Sequence, residues 1–162
     1  MFDHELTLYE FNLRYLQWLM ADIDDADLAK PPFPGANPPV WILGHLAICT
    51  DYAARLLGGR PECPRAWHKQ FAPGSNSAAL EPPLPNKADL LSAIEKGHAR
   101  VAELAPGASA EMMSQEHEVE LLKPTVLKTN GDVVAHLMCT HPAFHLAQLS
   151  ACRRSAGKSP LV

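Results

Sequence analysis

Four stretches of this sequence repeat apolar residues at steps of three and four, the spacing of one face of an α-helix. The inward-facing positions are Phe2, Leu6, Tyr9, Leu13, Leu16 and Met20; Trp41, His45, Ile48, Tyr52 and Leu56; Leu90, Ile94, Val101 and Leu104; and Val134, Met138, His141, His145, Gln148 and Cys152. No stretch shows the strict alternation of a half-buried strand. We therefore predict an all-α four-helix bundle that forms one domain over residues 1–162.

Capping residues give the expected helix boundaries. Asn37 is predicted to cap the second helix, with Pro38 and Pro39 in its first turn, and Asn86 to cap the third. We expect the last helix to begin around 129–132 and to run to about Arg154. The Pro-, Gly- and Ser-rich stretch 59–85 is either mobile or functional, because compact domains seldom carry loops of that length without a role.

Composition excludes several classes of protein. Of the 162 residues, 47% are hydrophobic and 20% charged, as in globular proteins, and the net charge of −4 provides no basic stripe for nucleic acid. The four cysteines lack CxxC spacing, so we interpret them as free thiols in a reducing compartment. No apolar run approaches a membrane span, and we expect a cytoplasmic protein without membrane or nucleic-acid partners.

Three histidines are candidate metal ligands. His141 and His145 are four residues apart, so on a helix both imidazoles project from one face, and this face is expected to point into the core. His45 lies on the inward face of the second helix. Three neutral imidazoles that meet in a bundle would leave one coordination position open. The spacing alone is also compatible with core histidines that bond to backbone carbonyls.

The remaining candidate residues have simpler interpretations. His136 is predicted to point away from His141, since five residues separate the two. Cys49 and Cys152 could approach a metal but fit better as small buried hydrophobes, and Trp67 and His68 either close over the site or belong to an ordinary loop. We expect three further histidines to be solvated, namely His4, His98 and His117. A ferritin-like di-iron site is excluded, because the inward stripes carry no Asp or Glu.

Two segments resemble the DinB/YfiT-like family of metalloenzymes, namely NPPVWILGHLAICTDYAARLLGG (37–59) and DVVAHLMCTHPAFHLAQLS (132–150). His45 matches the family's histidine on the second helix, and His141, His145 and Gln148 match its H-x-x-x-H-x-G-Q motif on the last helix. The resemblance implies a four-helix bundle of up-down-down-up topology. It also implies that the three histidines bind a divalent metal, usually zinc or nickel. Gln148 and Trp41 would support the ligands without binding the ion.

The chain departs from the family pattern at two positions. Ala147 stands where the family usually has glycine, which should not remove a ligand. Pro142 lies between the two histidines of the motif and deletes a helical hydrogen bond. We expect a kink there that could rotate His141 relative to His145.

The resemblance also suggests a reaction. Characterised branches of the family use low-molecular-weight thiols, so the preferred hypothesis is a metal-dependent thiol S-transferase that joins the thiol to a small-molecule electrophile. One alternative is a metal-dependent hydrolase, for which we find no positioned base in the sequence. Another is a non-catalytic, stress-associated metal-binding bundle. Because family members are often dimers, a homodimer is among the expected assemblies.

Overall fold

The computed structural model describes residues 1–161, and its regular elements are helices. They are α1 (Asp3–Met20), α2 (Pro39–Leu56), α3 (Arg65–Gln70), α4 (Lys87–Leu104), α5 (Ala110–Ser114), α6 (Asn130–Met138) and α7 (Thr140–Ser155). Short 3-10 turns occupy Asp25–Asp27, Ala105–Gly107 and Glu120–Leu122. Over the described range the extended pairing is limited to one isolated bridge between Glu116 and Thr129.

The bundle consists of α1, α2, α4 and the consecutive pair α6–α7, which confirms the predicted all-α four-helix architecture. Helix α2 is the central element, and it is buried on nearly every side because it is apolar all round. It packs most extensively on α4. Gly97 permits this approach, since a Cβ built there would lie 1.8 Å from Oγ1 of Thr50. None of the helices in residues 1–161 is long and apolar enough to cross a membrane.

One of the two predicted helix caps is present in the structure. The side chain of Asn86 caps α4 by accepting a hydrogen bond from the N–H of Asp89. The prediction for Asn37 is wrong, because Pro38 occupies the N-cap position of α2 without a side-chain bond. An external carbonyl replaces the cap: the N–H of Val40 donates to the oxygen of Leu28 at 2.8 Å.

The last bundle helix is divided in two, where the sequence predicted a single helix with a kink at Pro142. The break lies at Cys139, whose φ of −113° and ψ of −74° separate α6 from α7. Pro142 has no N–H to donate to the carbonyl of Met138, four residues earlier. The buried side-chain amide of Asn12 donates instead, at 3.1 Å, to the carbonyls of both Met138 and Cys139. Helix α1 therefore supplies a donor for the Met138 carbonyl, while the Cys139 carbonyl also accepts from the N–H of Ala143 at 3.4 Å.

Candidate metal centre

The three predicted histidines meet between α2 and α7. His45 and His145 are buried, with 4% and 8% of their surface exposed, and His141 is half-buried. Nε2 of His45 lies 3.2 Å from Nε2 of His141. One ligand nitrogen from each ring can be chosen so that the three lie within 4.8 Å of one another. This group could hold a metal ion.

A backbone carbonyl orients His45. Its Nδ1 lies 2.7 Å from the oxygen of Phe71, and because a carbonyl only accepts, Nδ1 must carry the proton. The Nε2 lone pair is thereby directed at the other two histidines. The Trp41 indole stacks on the same imidazole, with ring centroids 4.7 Å apart and planes 10° apart, and its Nε1 donates to Oγ of Ser75.

Gly44 allows the Phe71 carbonyl to come this close. A Cβ at position 44 would lie 2.4 Å from the Phe71 ring, well inside contact distance. The ring itself is fully buried beneath α2. The glycine that precedes His45 therefore sets the distance between α2 and the chain that orients the histidine.

Gln148 orients His145, as the Phe71 carbonyl orients His45. Nδ1 of His145 lies 3.0 Å from the amide oxygen Oε1 of Gln148, which again leaves Nε2 as the free lone pair. Gln148 itself is exposed, although the sequence pattern predicted it on the buried stripe. Its position one turn after the histidine brings the amide within reach.

The kink expected between His141 and His145 does not occur there. The two histidines belong to one helix, α7, and Pro142 is in its first turn, where the N–H would lack an intrahelical partner in any case. The chain bends before His141 instead, at Cys139. The ring centroids of His141 and His145 are consequently 4.7 Å apart on one helix face.

Burial keeps these imidazoles neutral. Desolvation, followed by the neighbouring histidines, lowers the pKa of His141 to about 3. Desolvation and then His45 lower the pKa of His145 to about 4, and desolvation also lowers that of His45. Neutral imidazole is the form that binds a metal.

The two candidate cysteines are not brought into the histidine group. Sγ of Cys49 lies 3.6 Å from Nε2 of His45, yet burial raises the pKa of this thiol to about 12. Cys152 is buried and its Sγ contacts the carbonyl of Asn37 at 3.9 Å. Neither cysteine belongs to the three-histidine group.

His136 lies beside the site, contrary to its predicted orientation. Its ring centroid is 5.5 Å from that of His141, and its Nδ1 is 2.6 Å from Oγ1 of Thr140. In an unbroken helix five residues would separate the two side chains by about 140°. The break at Cys139 removes that separation. The cue in the sequence was Pro142, which forbids the hydrogen bond back to Met138.

Two histidines predicted to be solvated are buried instead. His98 stacks on Tyr9 at a centroid distance of 3.9 Å, and burial lowers its pKa. His117 is 2% exposed, and its Nε2 contacts the carbonyl of Leu127. His4 is exposed as predicted.

The long stretch after α2 is part of the site's framework. Asp51, 1% exposed, accepts hydrogen bonds from the backbone N–H groups of Glu62 and Cys63, both at 2.9 Å. It also contacts Nη2 of Arg100 at 2.6 Å and Nε2 of His68 at 2.9 Å. These bonds tie the stretch to α2 and α4 before the chain reaches Phe71.

The spacing of one pair of donors matches a tetrahedral ion. Zinc–nitrogen bonds of about 2.0–2.1 Å place two tetrahedral ligands about 3.3 Å apart, close to the 3.2 Å between the nitrogens of His45 and His141. Two of the three histidines have their outer nitrogen held by an acceptor. In the described chain Nδ1 of His141 is buried without a partner.

A pocket of about 450 Å³ opens onto this site. His45, Cys49, His136 and His141 line it, and Leu122 and Val133 are among its apolar walls. Ala72 and Pro73, which follow Phe71, also line it. A small molecule in this pocket would contact the open side of the histidine group.

Comparisons with known proteins agree with this geometry. The chain is similar to YfiT from Bacillus subtilis, described as "a probable metal-dependent hydrolase with an unusual four-helix bundle topology". The match has a TM-score of 0.64 and 17% sequence identity, and it covers 97% of this chain and 88% of YfiT. No curated protein matches. The family model of the DinB superfamily matches residues 8–149, which include all three histidines. With its bundle, its histidine group and this match, the chain belongs to the DinB superfamily.

Proposed function

We propose that His45, His141 and His145 hold a divalent ion, zinc or nickel, and that the protein is a metal-dependent thiol S-transferase. The observation that carries the proposal is the convergence of three neutral imidazoles, two of which, His45 and His141, line a pocket. Gln148 and Trp41 support the ligand rings through the contacts described above. An ion bound there would supply Lewis acidity and stabilise the thiolate form of a low-molecular-weight thiol.

The surroundings of the site favour an external nucleophile. Cys49 is the thiol next to His45, but it does not belong to the three-histidine group. Asp51 has both carboxylate oxygens engaged by hydrogen bonds and so offers no free base. An external thiol activated by a bound ion would need neither Cys49 nor Asp51.

In the transfer, the sulfur of the external thiol would form a bond to an electrophilic carbon of the substrate. The leaving group departs with its bonding electron pair, and the thiol proton passes to solvent. His45 and His145 keep their geometry throughout, because Phe71 and Gln148 hold the outer nitrogens. The pocket would hold the electrophile next to His45 and His141.

Hydrolysis is the second candidate, and His136 is the observation that favours it. This half-buried imidazole lines the same pocket 5.5 Å from the ring of His141 and could accept a proton from water. The likeness to YfiT, described as a probable metal-dependent hydrolase, points the same way. A non-catalytic metal-binding bundle is the remaining alternative.

Metal content tests the site first. Protein purified without a histidine tag should contain about one zinc or nickel ion per chain by elemental analysis. His141→Ala should lose that ion, whereas His4→Ala, which removes an exposed histidine on α1, should retain it. Wild-type protein that carries no metal and shows no thermal shift with Zn²⁺ or Ni²⁺ contradicts the proposal.

Turnover then separates the reactions. Metal-loaded protein should consume a thiol in the presence of a reactive aryl or alkyl halide, and His141→Ala should not. Ester cleavage without added thiol, abolished in His136→Ala, would favour hydrolysis instead. Full metal loading without either activity would leave the non-catalytic bundle.

A further inference from the structure

The short helix α3 ends directly before the residue that orients His45. Its C-cap is Phe71, whose N–H donates to the carbonyl of Trp67 at 2.9 Å and whose own carbonyl accepts from Nδ1 of His45 at 2.7 Å. The helix has only six residues, and none of them is fully buried. Because a helix of that length is not stable by itself, contacts made by its side chains must hold it in place.

One side chain of α3 reaches the central helix α2. Nε2 of His68 donates a hydrogen bond of 2.9 Å to Oδ2 of Asp51, and Asp51 is 1% exposed. Since an ionised carboxylate only accepts, Nε2 carries a proton in this bond whether the imidazole is neutral or charged. The contact between the two helices therefore does not depend on the protonation state of His68.

Asp51 is a fixed anchor for this bond. Its two oxygens also accept hydrogen bonds from the backbone N–H groups of Glu62 and Cys63 and from the guanidinium of Arg100. The first two donors lie in the chain before α3, and Arg100 lies on α4. Asp51 is thus held by three donors other than His68, and we expect it to keep its position when that histidine is replaced.

His68 and Phe71 connect α3 to α2 at two points. They are three residues apart, so one helical turn joins them, and their partners Asp51 and His45 both belong to α2. The Phe71 ring is buried beneath α2, but a buried ring does not fix the direction of the carbonyl. That direction follows from the backbone dihedrals at the end of α3, where φ is −110° and ψ is 14°.

We infer that His68 is a positioning residue for the candidate metal centre: its bond to Asp51 holds α3 on α2, and α3 in turn holds the Phe71 carbonyl against His45. His68 is not itself one of the three grouped histidines. The inference rests on the proposed function in so far as metal affinity is one of its readouts. It assigns a role to a histidine that the sequence pattern allowed to be either part of the site or part of an ordinary loop.

Loss of the bond to Asp51 is the first test. His68→Ala should lower the zinc affinity of the full chain about threefold to tenfold in competition with a chelator, less than the loss of a direct partner of a ligand. His68→Gln keeps an N–H near the position of Nε2 and should bind zinc within about twofold of wild type. Gln70→Ala is the matched control, because it removes another side-chain bond of α3, to the carbonyl of Glu81 at 2.8 Å, that does not lead to α2.

The orientation of His45 is measured in metal-free protein as well. Long-range proton–nitrogen NMR spectra distinguish an imidazole protonated at Nδ1 from one protonated at Nε2, and circular dichroism of the chelator-treated chain shows that each variant is folded. We expect His45 to be protonated at Nδ1 in wild type, His68→Gln and Gln70→Ala. In His68→Ala we expect a mixture of the two tautomers, a change that a general loss of stability would not produce.

The inference is overturned if His68→Ala keeps both the zinc affinity and the His45 tautomer of wild type, or if Gln70→Ala changes them as much as His68→Ala does. A His68→Gln variant that behaves like His68→Ala would also overturn it. Its failure is distinct from failure of the proposed function. Wild-type protein that binds no zinc refutes the proposed function, whereas the tautomer of His45 in metal-free protein still tests the role of His68.

Discussion

Nδ1 of His45 donates a hydrogen bond of 2.7 Å to the carbonyl oxygen of Phe71, and this contact joins the central helix α2 to the long stretch that follows it. The two residues are 26 positions apart in the sequence. The bond fixes which nitrogen of His45 faces the other histidines. Through this bond, the stretch between α2 and α4 orients one ligand of the candidate metal centre.

Gly44→Ala should weaken metal binding without touching a ligand. The added methyl would lie 2.4 Å from the Phe71 ring, so the ring and its carbonyl must move away from His45. Loss of such an orienting bond typically costs 10- to 100-fold in metal affinity. Competition with a zinc chelator measures the change. Gly107→Ala, where no atom lies within 4 Å of the new methyl, is the matched control and should bind zinc like wild type.

Asn12→Ala should destabilise the fold by about 1–3 kcal/mol, because the carbonyl of Met138 loses its donor and that of Cys139 keeps only the longer bond from the N–H of Ala143. Urea unfolding gives the free energy. The double variant Asn12→Ala/Pro142→Ala should lose less than the sum of the single variants, since an alanine at 142 restores an N–H for Met138. Strictly additive losses would show that Asn12 does not substitute for the missing N–H.

Pro142→Ala by itself should leave zinc affinity within about threefold of wild type. His141 and His145 both belong to α7, and Pro142 lies in its first turn, so their relative orientation does not depend on the proline. The chelator competition used for Gly44→Ala applies here as well. A loss of tenfold or more would mean that Pro142 sets the geometry of the histidine pair.

Asp51 should make stability depend on pH in the acid range. Burial acts to raise the pKa of its carboxyl, but the N–H groups of Glu62 and Cys63 and the Arg100 guanidinium outweigh it and hold the pKa below its usual value. The carboxylate therefore contributes stability that is fully present above the unfolded pKa of about 3.9 and is lost as pH falls through the lower folded pKa.

Asp51→Asn should cost about 1–3 kcal/mol at neutral pH, because Arg100 loses its buried partner and keeps only the exposed carboxylate of Glu62. It should also flatten the loss of stability that wild type shows below about pH 4. Urea midpoints from pH 7 to pH 3 measure both effects. Asp24→Asn, an exposed carboxyl, should leave the curve as in wild type.

The local pattern of the chain was sufficient for most of the framework. Apolar spacing predicted the helices, and Asn86 marked a helix start that the structure retains. The prediction of a cap at Asn37 failed, because the carbonyl of Leu28, distant in sequence, accepts the hydrogen bond from the start of the helix instead. The local pattern also failed at Cys139, because whether a proline kinks, ends or opens a helix depends on which side chain can serve the freed carbonyls.

The sequence by itself determined the bundle and the three histidines, since helical spacing and the family motif are properties of neighbouring residues. Only the tertiary structure decided how those histidines are used. The carbonyl of Phe71 orients His45, and the break at Cys139 turns His136 toward His141. The pocket lined by His45 and His141 joins α2, α6 and two connecting segments. Each of these depends on contacts between residues far apart in the chain, which no local period encodes.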